Sequence, residues 1–310
     1  MQNRRNFIRY LMGAGGALAF TNLSAQELFA RKELVKLVIL HTNDVHSRLE
    51  PFPANDPKFG GMGGAARRSA LIRSIRNAEP NVLLFDAGDI FQGTPYFNFY
   101  LGEPEIKAMS AMGYDAATIG NHDFDGGIEN LAKQVTNNAT FPLLNVNYGI
   151  KNTPLEGIVL PYKTFDKGGV RVGVFGVGIE LAGLVPPNLY GGVQYNGPIE
   201  VANNTAKKLK HDLDCDIVVC LSHLGYSYSD TRVSDLVMAT QTEHIDLIIG
   251  GHTHTFLETP SILKNKVGKP VMVNQVGWAG LNLGRINFYV QPSTKKHHSD
   301  AYVLKILKSQ

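Results

Sequence analysis

Residues 118–127 read TIGNHDFDGG. The apolar run AATI (116–119) passes straight into Asn121, His122, Asp123 and Asp125, and then into two glycines. Side chains this polar at the end of a strand either cap the next helix or serve chemistry. Four other apolar runs end in the same way. LVIL (37–40) ends in HTNDVH, with Asp44 and His46; NVLLF (81–85) ends in DAGD, with Asp86 and Asp89. DIVVCL (216–221) ends in SHLG, with His223; IDLIIGG (245–251) ends in HTHT, with His252 and His254. A lone Asp after a strand ordinarily caps a turn, and a lone His is ordinarily a satisfied polar residue. Five runs of one chain all ending in Asp, Asn or His point instead to one shared site, because sites in α/β sheets form at the carboxyl ends of strands.

The segments between these runs fit that frame. GGAARRSALIRSIRNA (63–78) has helical spacing, with Ala66, Ala70, Leu71 and Ile75 on the apolar face and arginines opposite. PEIKAMSAMG (104–113) is a second helix, ended by Gly113. Further helices are expected near 127–138, 198–212 and 230–240, and a strand over FPLLNVN (141–147). IVLPYKTF (158–165) and VRVGVFGV (170–177) flank Lys167-Gly168-Gly169 and read as a hairpin. The chain closes in strands, VMVNQVG (271–277), LGRINFYV (283–290) and AYVLKIL (301–307), with His297 and His298 in the polar turn STKKHHSD (293–300). Alternating strands and helices followed by hairpins predict an α/β (α+β) domain of mixed sheets with helical outer layers. It is expected to be one domain over residues 31–310.

The side chains at the strand ends are carboxylate, amide oxygen and imidazole. These donors suit a pair of divalent Zn, Mn or Fe ions, and they include too many nitrogens for a calcium or magnesium cage. Asp44 and His46, and likewise His252 and His254, are i, i+2 pairs, which face the same way in extended chain. The glycines beside them, Gly88, Gly120, Gly225, Gly250 and Gly251, keep the backbone slim where strands crowd together. Two ions at roughly 3.5–4 Å form a clamp for in-line displacement at phosphorus.

ILHTNDVH, DAGDIFQG, IGNHDFD, LSHLG and GGHTHT together, spanning residues 39–255, resemble the motifs of the calcineurin-like metallophosphoesterases. More narrowly they resemble the catalytic domain of the bacterial 5′-nucleotidase / UDP-sugar hydrolase family. The resemblance implies a four-layer α/β/β/α sandwich of two mixed sheets. It implies that Asp44, His46 and His254 hold one metal, that Asn121, His223 and His252 hold the other, and that Asp89 bridges both. A metal-bound hydroxide would attack phosphorus in line, and His122 would stabilise the transferring phosphoryl group and protonate the leaving oxygen. Asp125, three residues on, is placed to orient the His122 imidazole and favour its charged form. Asp123 is read as the cap of the helix near 127. His41 is read as a packed residue, and Asp86 as a partner of a ligand histidine. Gly60–Arg68 is read as packing behind the first metal-binding loop, and Asn145 has no assigned role.

Family members carry a C-terminal domain that holds the nucleoside, and nothing in this sequence matches it. The resemblance therefore carries over the catalytic machinery and not the base specificity. The expected substrate is a small phosphorylated molecule, a nucleotide foremost, and two readings follow: a stand-alone phosphatase or phosphodiesterase of broad specificity, or a site completed by a separately encoded substrate-binding domain. The alternatives are 2′,3′-cyclic nucleotide cleavage, thiosulfohydrolase-type hydrolysis, or a non-catalytic metal-binding subunit.

The 310 residues are 44% hydrophobic and 18% charged, with a formal net charge of +3. This is ordinary globular composition, and no basic stripe interleaved with aromatics marks a nucleic-acid polymer as partner. Residues 1–25 read as a bacterial export signal. Arg4 and Arg5 precede Phe7 and Ile8, an apolar run follows from Tyr10 to Phe20, and cleavage is expected near Ala25. The paired arginines suggest a twin-arginine signal, the alternative being a plain secretory signal, and either places the protein in the periplasm. The apolar run is too short for a membrane span. Cys215 and Cys220, the only cysteines, are expected to face opposite sides of one strand, unpaired.

Overall fold

The computed structural model describes residues 34–307, so the expected export signal lies outside the described residues. Along the chain, β1 (Val35–Thr42) is followed by α1 (Ala65–Ala78), β2 (Val82–Asp86), α2 (Pro95–Tyr100), α3 (Glu103–Met112), β3 (Ala116–Ala117) and α4 (Ile128–Asn138). Next come β4 (Tyr148–Gly149), β5 (Tyr162–Lys167), β6 (Val170–Gly178), α5 (Pro187–Tyr190), β7 (Gln194–Tyr195) and α6 (Pro198–Lys207), which runs on into a π-turn at Lys208–Asp212. The rest is β8 (Ile217–His223), α7 (Asp235–Gln241), β9 (Leu247–Gly250), β10 (Ser261–Lys264), β11 (Pro270–Asn274), β12 (Asn282–Gln291) and β13 (Lys296–Lys305).

One sheet runs β13-β12-β1-β2-β3 and a second β10-β11-β9-β8-β6-β5, with a small β4-β7 pair beside them. Parallel pairing joins β1, β2 and β3 in the first sheet and β6, β8, β9 and β11 in the second. Antiparallel strands lie outside these, so both sheets are mixed. Every residue of β8 is buried, which requires cover on both faces. Ile217, Val219 and Leu221 point into a core shared with Leu37, Ile39, Leu83 and Phe85 of the other sheet. The alternate residues Val218 and Cys220 pack outward against Ala202 and Ala206 of α6 and Met238 of α7. In the first sheet Val38, Leu40 and Leu84 pack outward against Ile72 of α1, Ile106 of α3 and Leu131 of α4. The period-two alternation of each strand thus builds the four layers, helix, sheet, sheet, helix.

Local sequence explains most boundaries. Gly113 takes a left-handed conformation and its N–H closes α3 on Met109 and Ser110. The turn between β5 and β6 consists of Gly168 and Gly169, both at positive φ, the two-residue geometry that matches strand twist. Other expectations need correction. The buried face of α1 is Arg68, Ile72 and Ile75, while Ala66 and Ala70 are exposed. Residue type places the apolar stripe too far round, because an arginine is expected to seek water. His297 and His298 lie on β13 rather than in the turn, and Phe288 and Tyr289 of β12 cover their rings. Cys215 precedes β8 instead of sharing its alternation, so both thiols pack into the same outer core, and both are free. Residues 141–147 make only bridges, Ala117 to Leu143 and Leu144 to Leu160, in place of a strand. Among the described residues, no helix is long and apolar enough to cross a membrane.

Candidate metal centre

The carboxyl ends of β1, β2, β3, β8 and β9 meet at one edge of the two sheets, and the side chains that follow them converge. Donor atoms of Asp44, His46, Asp89 and His254 all lie within 4.8 Å of one another, and so do those of Asp89, His223 and His252. Asp89 is common to both groups. Asn121 stands beside the second group, with its Oδ1 2.8 Å from His252 Nδ1. All seven metal ligands expected from the sequence are therefore brought together.

The backbone route differs from the extended one expected. β1 stops at Thr42 and β9 at Gly250, and Asp44, His46, Asp89, His252 and His254 all take positive φ, between 50° and 71°. A non-glycine residue in the left-handed region costs about 1 kcal/mol or more, and such residues persist only where the surroundings over-determine them. The i, i+2 spacing works through tight turns: Asp44 and His46 enter the same donor group, while His252 and His254 enter different ones.

Those surroundings can be named. Asp123 is fully buried and its carboxylate accepts the backbone N–H groups of Asp89 (3.2 Å), Ile90 (2.8 Å), Phe91 (3.1 Å) and Gly120 (2.8 Å). It fastens the Asp89 loop to the Asn121 loop. It does not cap α4, where the residue before the helix is Gly127 and no side-chain cap is present. Asp89 Oδ1 in turn accepts the His122 N–H at 2.8 Å. A Cβ on Gly120 would overlap Asp89 itself, so only glycine admits that approach. Asn43 binds Asp44 Oδ2, the Gly277 carbonyl and the Val276 N–H. Gln275 bonds the Gly251 carbonyl at 2.6 Å and the Thr255 N–H, on either side of His252 and His254. Sequence reasoning missed Gln275, Asn43 and the real task of Asp123. Most of their partners lie tens to hundreds of positions away, and only Asn43, inside HTNDVH, and Asp123, inside IGNHDFD, carried any local signal.

The ring nitrogens are oriented for metal. His223 Nδ1 donates to the Ala87 carbonyl at 2.7 Å. That leaves Nε2 buried, 3.1 Å from Asp89 Oδ2 yet without a well-formed hydrogen bond. His46 Nδ1 lies 3.3 Å from the Phe91 carbonyl, and its Nε2 faces His254 Nε2 at 3.0 Å. Burial pushes the pKa of His46 down and those of His252 and His254 down to about 4, so they stay neutral with a lone pair to give. Burial, with Asp89 adding to it, raises the Asp44 carboxyl well above its usual range. Asp89 goes the other way: burial opposes its charge, but His223, itself pushed up against burial to about 10 by Asp89, outweighs burial and holds it ionised. Facing lone pairs, a buried unbonded imidazole nitrogen and two apposed carboxylates fit a divalent cation.

His122 and Asp125 form a separate pair beside this cluster. His122 Nδ1 and Asp125 Oδ2 are 2.8 Å apart, and this bond raises the histidine pKa above its ordinary value despite partial burial. The His122 side chain is 40% exposed, and its ring lies edge-on to His46 at 5.3 Å. The remaining expectations divide. His41 is fully buried with Nε2 on Asn274 at 2.9 Å, a packed residue as expected. Asp86 touches no ligand histidine; it accepts from Thr42 Oγ1 at 2.5 Å and the Gly88 N–H at 2.9 Å, which fixes the turn into Asp89. Asn145 folds back onto the N–H groups of Asn147 and Tyr148. Ala65 of the Gly60–Arg68 stretch bonds Leu49, three residues after His46, so that stretch does pack behind the first loop.

The family model for calcineurin-like phosphoesterases matches residues 37–256, which contain every residue of this cluster. The chain belongs to the calcineurin-like phosphoesterase family. Among relatives of this phosphoesterase, the snake venom 5′-nucleotidase of Crotalus adamanteus is 36% identical over 272 residues, 81% of this chain and 45% of that protein. The 5′-nucleotidase of Homo sapiens is 34% identical over 292 residues, 87% of this chain and 49% of that protein. Among solved structures, the 5′-nucleotidase precursor of Thermus thermophilus superposes with a TM-score of 0.77 at 31% identity, covering 88% of this chain and 55% of that one. The chain thus spans about half the length of the curated relatives it matches. Family membership and the donor cluster together establish a site for divalent metal ions.

Proposed function

We propose that this phosphoesterase hydrolyses phosphate monoesters, 5′-nucleotides foremost, with two divalent ions drawn from Zn, Mn or Fe. One observation carries the reading: two donor groups share a single carboxylate, Asp89, with an oriented histidine pair at their margin. Asp44, His46, Asp89 and His254 would hold one ion, and Asp89, Asn121, His223 and His252 the other. Ions bound there supply Lewis-acid polarisation of phosphoryl oxygens and the activation of water as nucleophile. The rest falls to the chain. Asp123 holds the Asp89 loop in register, so that one carboxylate serves both groups. Asp125 holds the proton on His122 Nδ1 and aims the ring at the cleft. His122 neutralises charge on the phosphoryl group and delivers a proton to the leaving oxygen. The nucleotide class is supported by the 5′-nucleotidases among its relatives.

The discriminating test is turnover by the Mn- and Zn-loaded protein against nucleoside 5′-monophosphates, simple phosphate esters, 2′,3′-cyclic nucleotides and thiosulfate conjugates. Fastest turnover of 5′-monophosphates is the expected result. Preference for the cyclic nucleotides or the thiosulfate conjugates would replace the substrate assignment. No turnover by fully loaded protein would leave a metal-binding subunit.

The proposal extends to location. Residues 1–25 would direct export through the twin-arginine route to the periplasm, after the metal site has folded. Replacing Arg4 and Arg5 by lysine should strand the protein in the cytoplasm. Unchanged periplasmic recovery would return the segment to the plain secretory class.

A further inference from the structure

Three histidines present Nε2 to the cluster, and the other ring nitrogen decides how firmly each is aimed. His223 Nδ1 has the Ala87 carbonyl and His46 Nδ1 the Phe91 carbonyl. Among the described residues, His254 Nδ1 has no hydrogen-bond partner, although its side chain is 38% exposed and its backbone sits at φ 51°. A half-exposed imidazole on a strained turn needs some other restraint to meet His46 at 3.0 Å.

Trp278 supplies a flat surface at that point. Its ring lies parallel to His254, 6° between planes and 5.6 Å between centroids, the offset stack that aromatic rings favour. The indole is itself fixed. Phe52 and Phe59 meet it edge-on at 5.9 and 6.5 Å. Its backbone neighbours tie it to the ligand loops: the Gly277 N–H donates to the Thr255 carbonyl at 3.0 Å, and the Ala279 N–H to the Asp44 carbonyl at 2.7 Å. Trp278 is therefore anchored at once to the residue after His254 and to a member of the same donor group.

We propose that Trp278 is the positioning residue for His254, its indole face doing by stacking what a carbonyl does for the other two histidines. The inference rests on the metal-centre reading above. Its consequence is selective: the Asp44–His46–Asp89–His254 group depends on Trp278, and the Asn121–His223–His252 group does not.

The test compares Trp278→Leu, which keeps an apolar side chain but loses the flat face, with Trp278→Phe, which keeps a ring. Metal content and affinity are read by elemental analysis and chelator competition, and thermal unfolding of the metal-free forms serves as control. The leucine variant should bind one of its two ions about ten-fold more weakly, the order seen when a ligand loses its outer support. The phenylalanine variant should recover most of that affinity, with metal-free unfolding temperatures close to each other. Full affinity for both ions in the leucine variant would overturn the proposal. Equal loss in both variants, tracking a fall in the metal-free unfolding temperature, would also overturn it, because Trp278 would then be scaffold. His254→Ala separates the two levels of argument. If that variant keeps full metal content, the metal-centre assignment itself fails, and the role of Trp278 goes with it.

Discussion

The two ends of the second sheet carry similar residues and use them in opposite ways. At the amino-terminal end of β8 and β9, Asp246 receives Lys210 at 3.4 Å, His297 at 3.2 Å and the Val218 N–H at 2.8 Å. Burial works against its charge there, but those partners outweigh burial and its pKa falls. At the carboxyl-terminal end, where the loops after β1 and β2 of the first sheet join it, Asp44 faces Asp89, imidazoles face one another, and no lysine or arginine pairs with either carboxylate among the described residues. Five of the participating residues take left-handed backbone. The first end is balanced by the chain itself. The second is left unbalanced by the fold, and a metal cation is what its donors lack. A balanced cluster stabilises; an unbalanced one, held in place by the rest of the molecule, binds.

The sharpest way to break this contrast is at Asp89, the one residue in both donor groups. Asp89→Ala should lose metal from both and lower turnover by about a thousandfold or more, since the Lewis-acid contribution amounts to several kcal/mol. Retention of either ion at full affinity would remove Asp89 from the bridging role. The next largest effect belongs to His122→Ala. Turnover should drop by about 10²–10⁴-fold with metal content unchanged, and loss of an ion would show that His122 is a ligand instead. Asp123→Ala follows. It strips the acceptor from four backbone N–H groups and should cost about 3 kcal/mol in unfolding experiments, with metal affinity falling at both groups together. A change confined to α4, seen by hydrogen exchange, would restore the helix-cap reading.

The smallest effect is expected at the balanced end. Asp246→Asn should cost about 1–2 kcal/mol and leave metal content and turnover untouched. The sign of its pH dependence follows from the lowered pKa. The carboxylate stabilises the fold above its unfolded pKa, near 3.8, and that contribution is lost as pH falls through the lower folded value. The difference in stability between wild type and Asp246→Asn should therefore shrink below about pH 4. A difference that instead grew in acid would mean the carboxylate is not ionised in the folded state.

Much of the site is legible in the sequence because its chemistry is local. Strand ends rich in Asp, Asn and His need no tertiary information to be noticed, and His122 and Asp125 are close enough in sequence for their pairing to be read from spacing. Local rules mislead where they have a distant competitor. Asp123 looks like a helix cap because α4 begins five residues later, but it answers to backbone amides more than thirty positions upstream. Residue type puts Arg68 on the solvent face of α1, yet it is buried against Gly280. Asp86, expected to hold a ligand histidine, holds a threonine and a backbone amide.

The sequence by itself determined, through period-two and helical patterning, that mixed sheets carry helical outer layers, and it marked the strand ends as the place of the site. The four-layer order and the choice of metal donors among those strand-end residues were expectations from the resemblance of the motifs to a family. Only the tertiary structure decided how those donors are aimed. Aim depends on left-handed turns held by Asp123, Asn43 and Gln275 and on the face of Trp278, contacts made across up to about 230 positions of chain. Residue type states what an atom can bind. Direction is a property of packing, and packing is settled only when both sheets are in place.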